Sequence, residues 1–190
     1  MNSRVFAPQV QEDMLLAFDM APVGLLLSRN RVVHFCNQTF CAMFRYAPDA
    51  LVGKSLACLY PSNAEFEHVG DRALAAMREK AVYADERIMK RADGRLFWCH
   101  VSGQAIDRTD PFSPAVWVFE DISEKRPVTT DLSAREREIA QFIVVGKSSK
   151  EIAKLLGIGH RTVDAHRARL MRKFAVASSN ELVAKLVGQG

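Results

Sequence analysis

Hydrophobic and polar positions follow two different patterns along the chain, and the change falls near residue 124. Strand-like runs occur at 24–28, 32–36, 84–90, 96–105 and 115–122, with helical spacing at 9–20, 37–44 and 64–79. Turn residues separate the first two strands at 29–31 (RNR), and Asp93-Gly94 separates the third from the fourth. Two strands, then helices, then three strands predict an α+β domain with an antiparallel sheet and flanking helices.

From Leu132 onward the apolar positions have helical spacing in four short segments. Ser133 with Glu136, and Ser148 with Glu151, have the spacing of a capping box at a helix start. A tight turn containing glycine then precedes a basic helix of about 14 residues, and a fourth helix follows. This order predicts an all-α, four-helix domain of the helix-turn-helix kind.

A polar segment at 125–131 separates the two patterns. Its Pro127 has no N–H and disfavours helix at the residue before it, so one continuous helix through the segment is not expected. We therefore divide the chain into an N-terminal extension (1–12), an α+β domain (13–124), a linker (125–131) and a helical domain (132–190).

Charge is unevenly distributed between the two parts of the chain. Residues 129–190 contain 11 Lys and Arg against 6 Asp and Glu, a net charge of +5, whereas residues 1–128 contain 15 against 16. The entire basic excess lies in the C-terminal third, which favours a nucleic-acid-binding module joined to a neutral one. By itself, the charge is also explained by a solvated basic face.

The third helix of the C-terminal domain carries the candidate chemistry. Its cations, set against the single acid Asp164, are Arg161, Arg167, Arg169, Arg172 and Lys173. Arginine suits nucleic-acid recognition because its planar fork binds a guanine edge or a phosphate with two hydrogen bonds. The small side chains of Ala165 and Ala168 would let the helix backbone approach the floor of a major groove.

The segment from Leu132 to about Leu186 resembles the LuxR/FixJ-type helix-turn-helix. The shared signature is L-S-x-R-E-x-E, then G-x-S-x-K-E-I-A, then L-x-I, then R-T-V-x-x-H with a lysine seven residues later. The resemblance implies a third helix in the major groove of double-stranded DNA and a second helix whose N-terminus faces phosphate. It also implies a fourth helix that pairs two subunits through Leu182, Val183 and Leu186.

The same resemblance assigns DNA contacts residue by residue. Phosphate contacts are expected from Lys150, Thr162, Arg172 and Lys173, and base contacts from Asp164, Ala165, Ala168 and Arg169. Arg161 and Arg167 complete the expected DNA-binding set, together with His166 as a packing or phosphate-contacting residue. Two positions depart from the family pattern: Gly159 replaces the usual capping Ser, and Ala175 replaces a glycine at the helix end. If that end needs a positive φ, Ala175 is strained by about 1 kcal/mol.

The segment 13–124 resembles a PAS sensor domain. The residues that carry this resemblance are APVGLLL (21–27), Asn37 with Phe40, 46–56, 59–61, RADGRLFW (91–98) and WVFEDIS (117–123). The closing Asp121-Ile122-Ser123 is similar to the triplet that ends many PAS domains and couples them to an effector. The resemblance implies a pair between Asp121 and a base such as Arg126, although a plain strand-end carboxylate explains Asp121 equally.

A PAS sheet and its helices enclose a pocket, and a small, mostly apolar organic molecule is the expected occupant. The candidate lining residues are Phe35, Phe40, Phe44, Phe66, Leu74, Met77, Ile88, Met89, Trp98, His100 and Trp117. Each is also explained as ordinary core, and an empty domain used for dimerisation or protein contact is the alternative. The cysteine-containing block of flavin-binding light sensors is absent, which argues against flavin. Haem would require a ligand such as His68, but a lone His is more often a surface residue.

Other chemistries have little support in the sequence. The four cysteines lack metal-ligand spacing and are expected to be reduced thiols in a cytoplasmic protein. No metal site is expected, and the sequence has no phosphate-binding glycine loop or nucleophile motif, so an enzyme is not expected. No apolar run reaches the length of a membrane span, and residues 1–14 do not resemble a secretory signal.

These features together predict a one-component transcription regulator. A signal at the PAS domain would shift the conformations of the DNA-binding domain, and a homodimer would bind two half-sites. RNA polymerase is a further candidate partner. The alternatives are a protein-interaction adaptor in which DNA contact is secondary, and a haem-based sensor.

Overall fold

A computed structural model describes residues 7–124 and 132–186, so the linker at 125–131 and Arg126 lie outside the described residues. The helices are α1 (Pro8–Asp19), α2 (Gln38–Phe44), α3 (Asn63–Lys80), α4 (Ala134–Val144), α5 (Ser149–Leu156), α6 (His160–Lys173) and α7 (Ser179–Leu186). The strands are β1 (Gly24–Arg29), β2 (Val32–Cys36), β3 (Val82–Lys90), β4 (Leu96–Ala105) and β5 (Ala115–Asp121). The predicted order of an α+β domain followed by a helical domain is confirmed.

The five strands form one antiparallel sheet in the order β2-β1-β5-β4-β3. Asn30 and Arg31, with φ of 51° and 62°, form the tight turn between β1 and β2. Gly94, with φ of 82°, lies in the turn between β3 and β4. Both predicted hairpin turns are therefore present, and the last strand in sequence lies at the centre of the sheet.

The inner face of the sheet packs against α2 and α3. On α2, Phe40 and Phe44 are fully buried, and their ring centroids lie 4.9 Å and 5.7 Å from that of Phe119 on β5. Phe97 on β4 contacts Phe44 edge to face at 5.2 Å. This aromatic cluster fixes α2 against the two central strands, because offset and edge-to-face ring contacts are directional.

The outer face of the sheet is exposed near one edge and buried near the other. At one end, Phe35, Leu27 and Val116 stand opposite one another on neighbouring strands, and Phe35 and Val116 are 43% and 40% exposed. At the other end, Ile88 and Trp98 stand opposite each other and are only 1% and 2% exposed. They belong to the same apolar cluster as the core of the C-terminal domain.

The C-terminal domain is built around α4 and α6. Ile139 on α4, Ile152 on α5, Val163 on α6 and Leu182 on α7 are fully buried in one cluster. Both predicted capping boxes are present, since each Ser hydroxyl accepts from a backbone N–H and each Glu carboxylate accepts in return. Ala175 has a φ of 52°, so the conditional strain of about 1 kcal/mol applies at the end of α6.

No helix among the described residues is long and apolar enough to cross a membrane. The same residues contain no group of three or more His, Cys, Asp or Glu side chains placed to hold a metal ion. The four cysteines are free thiols.

Asn37 joins the sheet to α1 and α2. Its side-chain oxygen accepts from the backbone N–H groups of Phe40 and Leu25, both at 2.9 Å, which caps α2 and fixes the start of β1. Its side-chain nitrogen donates to the carbonyl oxygens of Phe18 and Val23, both at 3.0 Å. The residue is fully buried, so these four hydrogen bonds replace all its contacts with water.

Replacing Asn37 with Ala is expected to lower the free energy of unfolding by about 3 kcal/mol, because it removes a helix cap and leaves buried backbone groups unpaired. Urea unfolding followed by circular dichroism measures this change. The control is Asn63→Ala at the exposed start of α3, for which we expect less than about 0.5 kcal/mol. Equal effects of the two substitutions would show that the Asn37 network adds no stability.

Candidate functional site

The turn between α5 and α6 places α6 on the surface of the C-terminal domain. Gly157 ends α5 with a φ of 64°, and the N–H of Ile158 donates to the Ala153 carbonyl at 3.0 Å. Val163 and Leu170 then anchor α6, because both side chains are fully buried in the domain core. The opposite side of α6 consequently faces solvent.

That opposite side carries most of the predicted DNA-binding residues. The exposed members are Arg161, Thr162, Asp164, Ala165, Ala168, Arg169, Arg172 and Lys173, and Lys150 is exposed in the first turn of α5. Their arrangement gives a narrow, mainly cationic ridge with small side chains near its middle. We refer to this exposed set as the α6 surface.

Two predicted members lie elsewhere. Arg167 is half-buried and donates to the Ser179 hydroxyl at 3.2 Å, so it links α6 to α7. His166 is also half-buried, and its Nδ1 is buried without a hydrogen-bond partner among the described residues. Burial, together with the nearby Arg169, lowers the pKa of His166. Both side chains therefore pack within their own domain, which favours the packing interpretation of His166.

Lys173 is held by the start of α4. Its Nζ donates to Glu136 Oε2 at 2.7 Å, and the N–H of Ser133 donates to the same carboxylate oxygen at 2.8 Å. Burial alone would raise the pKa of Glu136, but the hydrogen bonds from Lys173 and with Ser133 lower it below its ordinary value. One end of the α6 surface is thus fixed to α4.

The prediction for α7 needs correction. Leu182 and Leu186 are 0% and 3% exposed because they fill the core of their own domain. They cannot also form a surface that pairs two subunits, and of the three predicted residues only Val183 is partly exposed.

A small cavity of about 20 Å³ lies between α3 and the inner face of the sheet, with room for roughly one water-sized molecule. Three of the predicted lining residues, Phe66, Met89 and Trp117, do line it. The remaining lining residues are Arg31, Leu56, Leu59, Tyr60, Val69, Gly70, Ala73, Arg87, Val101, Phe112 and Phe119.

The other predicted pocket residues lie outside this cavity. Phe35 stacks on Phe18 of α1 with centroids 5.0 Å apart, and His100 shares the outer face of the sheet with Ile88 and Trp98. Period-two alternation places these strand positions opposite to the cavity. The members that belong to the helices and do not line the cavity are Phe40, Phe44, Leu74 and Met77.

Polar groups in the cavity wall were missed by the sequence analysis. Arg87 is 2% exposed, donates to the Tyr60 hydroxyl at 2.6 Å and pairs with Asp85. The Arg31 guanidinium lies 3.4 Å from the centroid of the Phe66 ring. It also packs closely on Gly70, where an added Cβ would lie only 2.5 Å from the guanidinium. The sequence does contain a signal for this buried charge. Arg87 and Met89 are two residues apart, so they lie on the same face of β3, and that face is the inner one.

The predicted coupling pair is only partly visible. Asp121 pairs with Arg91 at 2.5 Å and accepts from the N–H of Ser123 at 2.9 Å. The proposed partner Arg126 lies outside the described residues. His68, the candidate haem ligand, does not line the cavity and instead lies in a cleft beside Glu138 of α4.

Both parts of the chain match known protein families. Residues 22–124 match the PAS domain family, and residues 130–186 match the family described as bacterial regulatory proteins, luxR family. The chain belongs to the PAS domain family, and its C-terminal part carries a domain of the luxR family of bacterial regulatory proteins. Its C-terminal part is thus a LuxR-type DNA-binding domain, and it follows a PAS domain in the chain.

Two relatives of this protein each match part of the chain. The sensor protein TdiS of Thauera aromatica is 32% identical over 137 residues, which is 72% of this chain and 25% of TdiS. The transcriptional regulatory protein TdiR of the same organism is 54% identical over 52 residues, 27% of this chain and 23% of TdiR. The chain thus spans about a quarter of the length of these two relatives.

A solved structure matches the PAS domain. It is the PAS domain, in complex with ethanol, of a LuxR-family transcriptional regulator from Burkholderia thailandensis. The two are 53% identical with a TM-score of 0.56, and the match covers 57% of this chain and 96% of that one.

The Glu136 pair makes stability depend on pH. Because folding lowers the pKa of Glu136, its contribution is present above the unfolded pKa of about 4.3 and is lost as pH falls through the folded value. Urea unfolding at pH 7, 5 and 3.5 is therefore expected to show a smaller loss of stability for Glu136→Gln than for the wild type. Glu12→Gln on the exposed surface of α1 is the control, and a Glu136→Gln profile identical to the wild type would contradict the assignment.

Proposed function

We propose that this regulator is a one-component protein in which α6 reads a specific DNA sequence and the PAS domain binds a small organic molecule. The observation that carries the DNA-reading part is the α6 surface. Three exposed arginines, Arg161, Arg169 and Arg172, surround a stretch of small side chains on a helix whose other side is anchored in the core. Such a helix fits the major groove in width and charge.

Within this surface the residues have different roles. Asp164, Ala165, Ala168 and Arg169 face the base edges, and Arg169 is the side chain able to bind guanine with two hydrogen bonds. Lys150, Thr162, Arg172 and Lys173 contact phosphates and set the register of the helix on the duplex.

The regulator acts as a homodimer on two half-sites in the cytoplasm, and RNA polymerase is a candidate partner in activation. Leu182 and Leu186 are buried in their own domain, so of the predicted α7 residues only Val183 can contribute to subunit pairing, and we propose a further surface for it. α1 fits this role, since Val10, Met14 and Leu16 are 41%, 53% and 62% exposed.

The ligand proposed for the PAS domain is a small, mostly apolar molecule with one hydrogen-bonding group. The cavity is lined chiefly by apolar side chains, and its wall holds the buried Arg87 and Tyr60. Support also comes from the related PAS domain that was solved with ethanol. A hydroxyl or carbonyl group is the chemistry that these two side chains can bind.

A protein-interaction adaptor is the second candidate function. The exposed apolar side chains of α1 favour it, because no residue of this helix is buried. A true DNA binder loses affinity steeply as the salt concentration rises, by about 0.9 log unit per log unit of salt for each phosphate that it contacts. An adaptor would not show this steep dependence of DNA affinity on salt.

Arg169→Ala is expected to weaken binding by about 1–3 kcal/mol and to relax preference at one base position. The measurement is fluorescence anisotropy with a duplex selected by the wild-type protein from a random library, and with its single-base variants. The matched control is Lys150→Ala, which is expected to weaken binding to all sequences equally because it removes a phosphate contact. Unchanged affinity and preference in Arg169→Ala would refute the proposed orientation of α6.

Ala73→Leu is expected to abolish ligand binding, because Ala73 is 2% exposed and the added side chain fills the cavity. Native mass spectra of purified protein should show excess mass for the wild type and for Ala75→Leu, an exposed control on the same helix. Ethanol is then added stepwise as the probe ligand, and its binding is followed through the amide chemical shifts of the protein. A wild type without excess mass and without any response to ethanol would contradict the proposed ligand class.

A further inference from the structure

The two domains are joined by a buried ion pair. Arg137 on α4 donates through Nη2 to Glu65 on α3 at 2.7 Å, and through Nε at 3.2 Å. The side chains of Glu65 and Arg137 are only 3% and 10% exposed. Arg137 also donates to the carbonyl oxygen of Leu132, which fixes the guanidinium from its own side.

An apolar contact surrounds this pair. Ile88 and Trp98 on the outer face of the sheet join the cluster that contains Ile139 and Phe142 of α4. The guanidinium of Arg72 on α3 lies 4.9 Å from the centroid of the Phe142 ring. The C-terminal domain is therefore docked on the sensor domain through side-chain packing, in addition to the covalent connection.

The elements that hold α4 also form the wall of the cavity. On α3, Phe66 and Val69 line the cavity whereas Glu65 contacts α4. On β3, Arg87 lines the cavity whereas the next residue, Ile88, packs against the C-terminal domain. Both α3 and β3 therefore contact the cavity on one side and the C-terminal domain on the other.

We propose that this docking interface is a rigid coupling that sets the position of α6, and that binding to two half-sites depends on it. The inference rests on the proposed DNA-reading function. Glu65 and Arg137 are positioning residues in this scheme, since neither belongs to the α6 surface.

Geometry favours positioning over occlusion. The α6 surface remains exposed while the domains are docked, so docking does not cover the residues that face DNA. The two recognition helices of a dimer must meet half-sites about 34–36 Å apart. Docking fixes α6 relative to the PAS domain of the same subunit, whereas a flexible connection lowers the effective concentration of the second α6 at the second half-site.

The cavity provides the input to this coupling. Its volume of about 20 Å³ admits roughly one water-sized molecule, so a larger ligand has to displace part of the wall, to which α3 and β3 contribute. Both elements contact α4, and ligand binding consequently changes the docking geometry. By linkage, a change in docking alters ligand affinity by the same factor.

The test compares binding of the full-length protein to a selected two-half-site duplex and to the same duplex with one half scrambled. Arg137→Ala is expected to lose about tenfold or more in affinity for the complete duplex and to keep its affinity for the single half-site. Arg135→Ala is the matched control, because Arg135 is on the same helix and pairs with Glu138 within α4. We expect it to bind both duplexes as the wild type does.

Arg137→Ala leaves Glu65 buried and unpaired, so a variant that removes both charges, Glu65→Ala/Arg137→Ala, is measured beside it. Circular dichroism establishes that each protein is folded. If the folded variants bind the complete duplex as well as or better than the wild type, the coupling is refuted. If the wild type binds the complete duplex no better than a fully scrambled duplex, the DNA-reading function itself is refuted, which is distinct from failure of the coupling.

The link to the cavity is tested by combining Ala73→Leu with Arg137→Ala. Because both act through docking, Ala73→Leu is expected to change affinity for the complete duplex in the wild-type background and not in Arg137→Ala. Equal effects in the two backgrounds would show that the cavity does not act through this interface.

Discussion

The structure depends on two opposite charges that have been removed from water. Glu65 and Arg137 are buried, and removing an ion from water costs several kcal/mol unless its partner is placed well. Three hydrogen bonds join Arg137 to Glu65, and a fourth joins Arg137 to a carbonyl oxygen of its own domain. Burial nevertheless raises the pKa of Glu65 above its ordinary value. The ion pair therefore lies at the point where the PAS domain and the helical domain meet.

Near that ion pair, β3 and α4 each make two sets of contacts. Successive residues of β3 face opposite sides of the sheet, so Arg87 contributes to the cavity and Ile88 to the domain interface. α4 is shared in the same way, because Arg137 contacts α3 while Glu136 holds Lys173 at the end of α6. Sensor wall, interface and recognition helix thus lie within a few contacts of one another.

Burial and exposure divide the recognition helix sharply. Val163 and Leu170 are fully buried, and Arg161, Ala165 and Arg169 on the other side are exposed. The apolar anchors give the helix a fixed orientation, so its exposed side chains reach outward as one ridge. A sensor domain placed behind such a helix can change the position of the helix without touching its exposed side chains.

The sequence by itself determined the local structure: both capping boxes, the hairpin turns and the cap at Asn37 depend on residues close together in the chain. It also determined which side of α6 is exposed, since the helical period alone separates Val163 from Arg169. Only the tertiary structure decided that Trp98 packs on the other domain, that Leu182 fills its own core and that Arg87 is buried at the cavity. Each of these depends on which face of one element meets another, and Glu65 and Arg137 lie 72 residues apart in sequence. Local patterns carry no information about such pairings. The alternation of a strand or the period of a helix fixes which residues share a face, but not which other element that face packs against.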